Sequence, residues 1–261
     1  MGAPIARPRH RPASPSGISC VVCAYNEEQR ISHILEAVVG HPALCEIIVV
    51  NDGSTDATES LLRGYPSVRT ISYAQNRGKT YAMGLGVAAA SGAHIMLLDA
   101  DLTGVTARDI DALAAPVTSG RADVSISLRR NSLWIYRLLG LDFVSGERVL
   151  PAPLLADAAQ AMTSLPRWGA EAYLNDVVVR RRLRIAVVDW PGVFNIRKHR
   201  KVGLLRGALE ELRMSADAMQ VLSPFGVARQ YASMLGLISL PARPAMARLP
   251  RLSELGRSPA A

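Results

Sequence analysis

The stretch Ile95-Met96-Leu97-Leu98-Asp99-Ala100-Asp101 decides how this sequence folds. Its first four residues are apolar without a polar alternate, the signature of a strand covered by helices on both faces, as in a parallel sheet. Two acids follow at once, at positions i and i+2, which in extended chain project to the same side. Unpaired, two carboxylates so placed repel and raise one another's pKa. A bound Mg²⁺ or Mn²⁺ removes that conflict, and a small set of hard oxygen ligands suits a cation that also binds substrate phosphates. The purely structural alternative is that each acid caps the following turn or pairs with an arginine.

Three earlier apolar runs also end in polar clusters. Strand-like Ile18–Ala24 runs into Tyr25-Asn26-Glu27-Glu28, Glu46–Val50 into Asn51-Asp52-Gly53-Ser54-Thr55-Asp56, and the weaker Arg69–Tyr73 leads to Gln75-Asn76-Arg77-Gly78-Lys79. Helical patterns over Glu28–Val39, from Ser54 as cap to Arg63, and over Lys79–Ala90 separate them. Thr106 with Asp109 predicts a capping box opening a helix to Thr118, followed by a fifth strand at Val124–Leu128. Strands alternating with helices at this spacing imply βαβ units and a mostly parallel sheet. In such a sheet the carboxyl ends of the strands share one edge, where ligands bind, so the four polar clusters should converge on one crevice. There Asp52 is placed to accept a hydrogen bond from a base or ribose. Arg77-Gly78-Lys79 sets two cations at a helix N-terminus, a site that attracts phosphate; an exposed helix lysine is the plainer reading of Lys79.

Beyond Arg130 helical patterns dominate, at Leu154–Thr163, Ala170–Arg182 and Leu204–Val221, with one strand at Arg184–Val188. The expected organisation is a disordered Pro- and Arg-rich head over residues 1–17, a nucleotide-binding half over 18–130, an acceptor-facing half with C-terminal helices over 131–240, and a loose tail over 241–261. The formal charge of +8 favours anionic partners without choosing among them. Cys20 and Cys23 mimic a redox or zinc pair, but sit on opposite faces of a strand and lack a second pair. Those two cysteines, of the three with Cys45, read as buried small hydrophobes, which suggests a reducing compartment. The longest late apolar run, Tyr231–Leu240, is too short to span a bilayer, and the head carries no apolar leader core. The expectation is a cytoplasmic protein, with a peripheral membrane contact compatible with its charge.

Taken in order, Ala24-Tyr25-Asn26-Glu27-Glu28, Val49-Val50-Asn51-Asp52-Gly53-Ser54-Thr55-Asp56, Asn76-Arg77-Gly78-Lys79 and Leu97-Leu98-Asp99-Ala100-Asp101 resemble the family 2-like GT-A glycosyltransferases. The resemblance covers residues 18–130. It implies a GT-A, Rossmann-like α/β fold and a nucleotide-diphosphate-sugar donor such as a UDP- or GDP-sugar. It further implies that Tyr25, Glu27 and Asp52 line the nucleoside pocket, that Lys79 and Asp99 lie near the ribose or diphosphate, and that Asp101 ligates the metal, with Asp99 beside it. Where the family often has Asp, this chain has Asn51. Farther on, Phe143-Val144-Ser145-Gly146-Glu147-Arg148 and Trp168-Gly169-Ala170-Glu171 resemble the acceptor loop and catalytic segment of members that include glucosyl-3-phosphoglycerate synthases and polyprenyl-phosphate sugar transferases. Inverting members place a general base there; Glu171 is the candidate and Glu147 its competitor. Trp168 is open between stacking on a sugar and core packing. His199, among Arg197, Lys198, Arg200 and Lys201, matches the late histidine that similar enzymes bring to the metal or diphosphate.

The resulting expectation is a metal-dependent glycosyltransferase whose acceptor is unspecified and plausibly phosphorylated. A sugar-phosphate nucleotidyltransferase is the first alternative, but it wants a glycine-rich phosphate loop after the first strand, where this chain has Tyr25-Asn26-Glu27. A non-enzymatic nucleic-acid or membrane-surface binder is the second; it leaves the acidic strand ends unexplained, and no nucleic-acid partner is expected.

Overall fold

A computed structural model describes residues 17–165, 169–195 and 224–241 of the 261. The first half builds β1 (Ile18–Ala24), α1 (Ile31–Val38), β2 (Leu44–Asp52), α2 (Thr58–Leu62), β3 (Arg69–Tyr73), α3 (Lys79–Ala89), β4 (His94–Asp99), β5 (Leu102–Thr103), α4 (Ala107–Thr118) and β6 (Val124–Arg129). Then come α5 (Trp134–Leu139), β7 (Arg148–Pro151), α6 (Ala152–Met162), α7 (Ala170–Arg180), β8 (Ile185–Trp190), β9 (Phe194–Asn195), α8 (Pro224–Leu235) and β10 (Ile238–Leu240).

Eight strands form one sheet in the order β10-β8-β6-β7-β4-β1-β2-β3, and β5 with β9 forms a small second sheet. All pairs in the large sheet are parallel except those of β7, which runs antiparallel between β4 and β6. The sheet thus continues across residue 130, where the two halves were expected to meet. The second half supplies three strands to the large sheet rather than the single one expected.

Alternate side chains of the central strands go to opposite cores. Val21, Ile48, Val50, Ile95 and Leu97 pack with α3, α6 and α7 on one face. Cys20, Val22, Ile47, Val49, Met96 and Leu98 pack with α1 and α4 on the other. Both faces are dry, which is why the strands read as continuous apolar runs. Each fully buried aliphatic side chain contributes roughly 1.5–3 kcal/mol. Gly86 lets α3 lie directly on β1, since a Cβ there would collide with Val21.

The Thr106–Asp109 capping box forms as expected, with Thr106 N–H and Oγ1 both donating to Asp109. Ser54 does not cap α2, which starts four residues later. Its hydroxyl instead accepts the Asn26 N–H at 3.0 Å, and the Asp56 carboxylate takes the Thr58 N–H at 3.0 Å. The first helix also starts later than expected, because Glu27 and Glu28 tie the β1 loop to the β2 loop: the Glu27 N–H donates to Thr58 Oγ1 and Glu28 Oε2 accepts from the Ala57 N–H. Asn26 takes a positive φ of 55° to make that turn, a conformation Asn tolerates better than most residues.

Cys20 is buried and Cys23 partly so, on opposite faces, while Cys45 at the start of β2 is exposed. Burial pushes the Cys20 thiol up to about 12 and, with smaller effects from Lys79 and nearby acids, does the same to Cys23. At pH 8 a thiol reagent is therefore expected to modify Cys45 alone among the three in the native protein, with Cys20 and Cys23 reacting after denaturation. Fast labelling of two or more would contradict this placement.

Candidate active site

The four polar strand ends do converge. β4, β1, β2 and β3 are neighbours, all parallel, so the loops after them line one edge. At its centre the Lys79 ammonium, from the first turn of α3, bridges two carboxylates: Asp99 Oδ1 at 2.6 Å and Glu171 Oε1 at 2.8 Å. Asp99 ends β4, and Glu171 lies in the first turn of α7. Cys23, paired in register with Asp99, lies at the floor. Burial alone would raise the Asp99 carboxyl, but Lys79, with Arg129 and Arg148 farther off, outweighs it and holds the group below the usual range. Burial likewise opposes the charge on Lys79, and Asp99 with Glu171 overcomes it, pushing the ammonium pKa up. Lys79 is therefore the fixed cation of the site rather than an exposed helix lysine.

Lys79 meets Asp99 through Oδ1 and Glu171 through Oε1. Asp101 follows in the turn into β5, and β5 pairs with β9 so that Leu102 faces Asn195. Asp101 also lies near enough to Arg129 to favour its charged form. The Asp99 carboxylate thus shares a lysine with Glu171. Two carboxylates at the end of β4 are the kind of donor that suits a hard divalent cation. Among the described residues no group of three or more His, Cys, Asp or Glu side chains gathers for a metal. His199, Arg197, Lys198, Arg200, Lys201, Trp168 and the helix expected at Leu204–Val221 lie outside the described residues.

Asp52 is bound within its own loop cluster. Its buried carboxylate accepts from Tyr73 Oη (2.8 Å), Asn76 Nδ2 (3.1 Å), the Arg77 N–H (2.7 Å) and the Gly78 N–H (2.9 Å). The anion drawn to the N-terminus of α3 is the chain's own carboxylate, which fixes the loop that aims Lys79. Tyr25 stands exposed at the mouth. Glu27 is held by Arg30 at 2.5 Å, and Arg77 stacks on Tyr81, 3.6 Å from the ring centre.

Glu147 is wholly buried. Its Oε2 accepts from Ser127 and Ser145 at 2.8 and 2.6 Å, and its Oε1 meets Arg129 at 3.2 Å. Burial pushes its carboxyl up, against the pull of Arg129. It has no exposed surface and both its oxygens are engaged, whereas Glu171 stands beside Lys79 at the strand edge. The loop carrying Glu147 matters in another way. A Cβ on Gly146 would stand 2.7 Å from Asp99 Oδ1 and 2.8 Å from Asp99 Oδ2 and Lys79 Nζ, so this glycine backbone packs directly against the Asp99–Lys79 pair. Arg148, also buried, donates to Asn175 Oδ1 at 2.9 Å and to the Ser145 carbonyl, while Asn175 Nδ2 donates to the Phe143 carbonyl at 2.8 Å. This staples the loop to α7.

Sequence reasoning overlooked Thr80. Its buried hydroxyl accepts the Gly169 and Ala170 N–H groups at 3.1 and 3.2 Å, where α7 begins. Consecutive residues of α3 therefore seize both the backbone and the carboxylate of the first turn of α7. A threonine in a helix carries no local signal of such a role. Thr80→Val is expected to lower kcat about 10- to 100-fold by displacing Glu171, to leave the donor KM nearly unchanged, and to be rescued by Thr80→Ser. Equal losses in kcat and KM, or no rescue by serine, would assign Thr80 to stability alone.

Comparison with known proteins bears on the family and the fold. Residues 19–137 match the model of Glycosyl transferase family 2. Dodecaprenyl-phosphate galacturonate synthase of Rhizobium johnstonii is 33% identical over 129 residues, 46% of this chain and 38% of that protein. Dolichyl-phosphate beta-glucosyltransferase of Drosophila melanogaster is 39% identical over 104 residues, 34% of this chain and 32% of that protein. The chain spans about a third of the length of these relatives. Among solved structures, glucosyl-3-phosphoglycerate synthase from Mycobacterium tuberculosis in complex with Mn²⁺, UDP and glucosyl-3-phosphoglycerate has a TM-score of 0.59 at 25% identity, covering 87% of this chain and 82% of that one. The same enzyme with Mg²⁺ and UDP has a TM-score of 0.61 at 25% identity, covering 87% and 81%. The fold is GT-A, and the likeness extends well beyond the half in which the sequence motifs lie.

Proposed function

The chain carries a glycosyl transferase family 2 segment at residues 19–137, and from that premise we propose that it moves a sugar from a UDP-sugar to a phosphorylated acceptor with the help of Mn²⁺ or Mg²⁺. The observation that carries the proposal is the Asp99–Lys79–Glu171 cluster beside Asp101 at the carboxyl edge of the sheet. A divalent cation held by Asp101 and Asp99 would offset charge on the departing diphosphate. Lys79 adds a fixed positive charge at the same place, already positioned before donor arrives. Glu171 is the carboxylate that takes a proton from an acceptor hydroxyl.

Residues 18–130 serve the donor, with exposed Tyr25 flanking the nucleoside and Asp52 holding the Asn76–Gly78 loop. Residues 131–240 serve the acceptor. The relatives named above act on polyprenyl phosphates by their names, and the structural neighbour binds a phosphorylated glyceric acid product; a phosphorylated acceptor is the chemistry they share. Among the described residues no helix is long and apolar enough to cross a membrane, so a lipid acceptor would be met at its surface.

Thermal melting in the presence of UDP-, GDP- and dTDP-sugars, each with and without Mn²⁺, tests the proposal. A ligand at a hundredfold its Kd stabilises by about 2.7 kcal/mol, which for a chain of this size raises Tm by roughly 5–10 °C. The UDP-sugar with Mn²⁺ is expected to give that shift. Absence of a shift with every donor would remove the reading.

A further inference from the structure

We propose that the face around α5 docks on the surface of an anionic lipid bilayer. Seven large apolar side chains stand exposed among the described residues, and five of them fall between residues 133 and 144: Leu133, Trp134, Leu138, Leu139 and Val144. Trp134 is 73% and Leu138 71% exposed. They are four residues apart on one helix and so share a face. α5 buries none of its six residues.

This is not a loose segment that failed to pack. Tyr136 makes edge contacts with Phe143 and Tyr231 at ring distances of 5.5 and 5.9 Å. Arg137 Nη1 donates to the Arg129 carbonyl at 2.8 Å and faces Asp189 at 3.7 Å. Gly140 ends the helix in the left-handed conformation. The inner side of α5 is thus fastened, and the fastening holds Trp134 and Leu138 outward.

Charge selects the partner. Residues 130–141 contain Arg130 and Arg137 and no carboxylate, and the next acid, Asp142, is buried. A tryptophan and leucines beside the exposed Arg130 match the interfacial layer of a membrane, where the ring sits at headgroup depth and the Arg130 guanidinium meets lipid phosphate, while Arg137 stays with the Arg129 carbonyl and Asp189. A two-fold contact with a second copy would set Arg130 near its own equivalent, which like-charge repulsion opposes. The overall charge of +8 adds a longer-range attraction to anionic lipid. The patch ends at Val144, two residues before Gly146, whose backbone abuts Asp99 and Lys79, so the docked face carries the rim of the catalytic cluster with it. Docking does not depend on the transfer reaction proposed above.

Co-sedimentation of the full chain with vesicles of phosphatidylcholine alone, and of phosphatidylcholine with phosphatidylglycerol, tests this. The wild type is expected to bind the anionic vesicles, and the Trp134→Ser/Leu138→Ser double variant to bind them about tenfold more weakly or less. Both side chains are exposed, so the variant should keep its circular dichroism and its melting temperature; Arg130→Glu, expected to weaken binding in the same direction, provides an independent variant. Equal vesicle binding by wild type and double variant would overturn the proposal, leaving general charge attraction. So would self-association of the wild type without vesicles that the double variant abolishes, which would assign the patch to a second copy. Failure of the glycosyltransferase reading would appear separately, as the lack of a UDP-sugar shift in melting, with the vesicle result intact.

Discussion

Asp101→Ala is expected to lower Mn²⁺-dependent turnover of a UDP-sugar by on the order of a thousandfold. A metal offsets several kcal/mol of charge in a departing diphosphate, and each 1.4 kcal/mol is worth about tenfold in rate. Asp99 gives one oxygen to Lys79 at 2.6 Å, and Asp101 is the acid that the family resemblance assigns to the cation. The residue lies in the turn between β4 and β5, outside both hydrophobic cores. Its truncation should therefore move Tm by about a degree or two at most. The signature is lost turnover in a folded protein that no longer responds to added Mn²⁺. A variant that retains the wild-type rate and metal response would remove Asp101 from the site.

Glu171→Gln is expected to reduce kcat by roughly 10²- to 10⁴-fold, the range attributed to general acid–base catalysis, while donor KM changes little. Glutamine keeps the length and an oxygen acceptor for Lys79, which sits 2.8 Å from Glu171 Oε1, so the geometry of α7 should persist. What it loses is the basic oxygen beside the acceptor. Parallel losses in kcat and donor affinity would instead make Glu171 a support for Lys79. The matching change at the competitor, Glu147→Gln, should act differently. Glu147 has no exposed surface, and its carboxylate joins Ser127 and Ser145 to Arg129. The substitution should alter stability and the packing of the Gly146 loop more than the chemical step.

The donor half was legible because its strands are buried on both faces and end abruptly in acids and glycines. Ile18–Ala24 and Arg69–Tyr73 fold as strands with the boundaries their sequences suggest, and Lys79 opens its helix. The opposite facing of Cys20 and Cys23 followed from strand geometry alone. What could not be read is tertiary. Glu147 and Glu171 differ in burial and in partners, which no local pattern encodes. Nor does the sequence around Asp52 show that the Tyr73–Gly78 loop wraps around it. β7 is hidden because it begins with Arg148 and ends with Pro151, and the charge of Arg148 is tolerable in the interior because Asn175 and the Ser145 carbonyl accept from it. β9 and β10 have two and three residues, too few for any periodicity to show.

Everything proposed for catalysis depends on a cation and a nucleoside diphosphate being held together at the end of β4. The most direct measurement is the paramagnetic resonance signal of free Mn²⁺ during titration of the protein in the presence of UDP. Uptake of one ion per wild-type chain, dependent on UDP and lost in Asp101→Ala, is the expected result. Equal uptake by the variant, or none by the wild type, would contradict it.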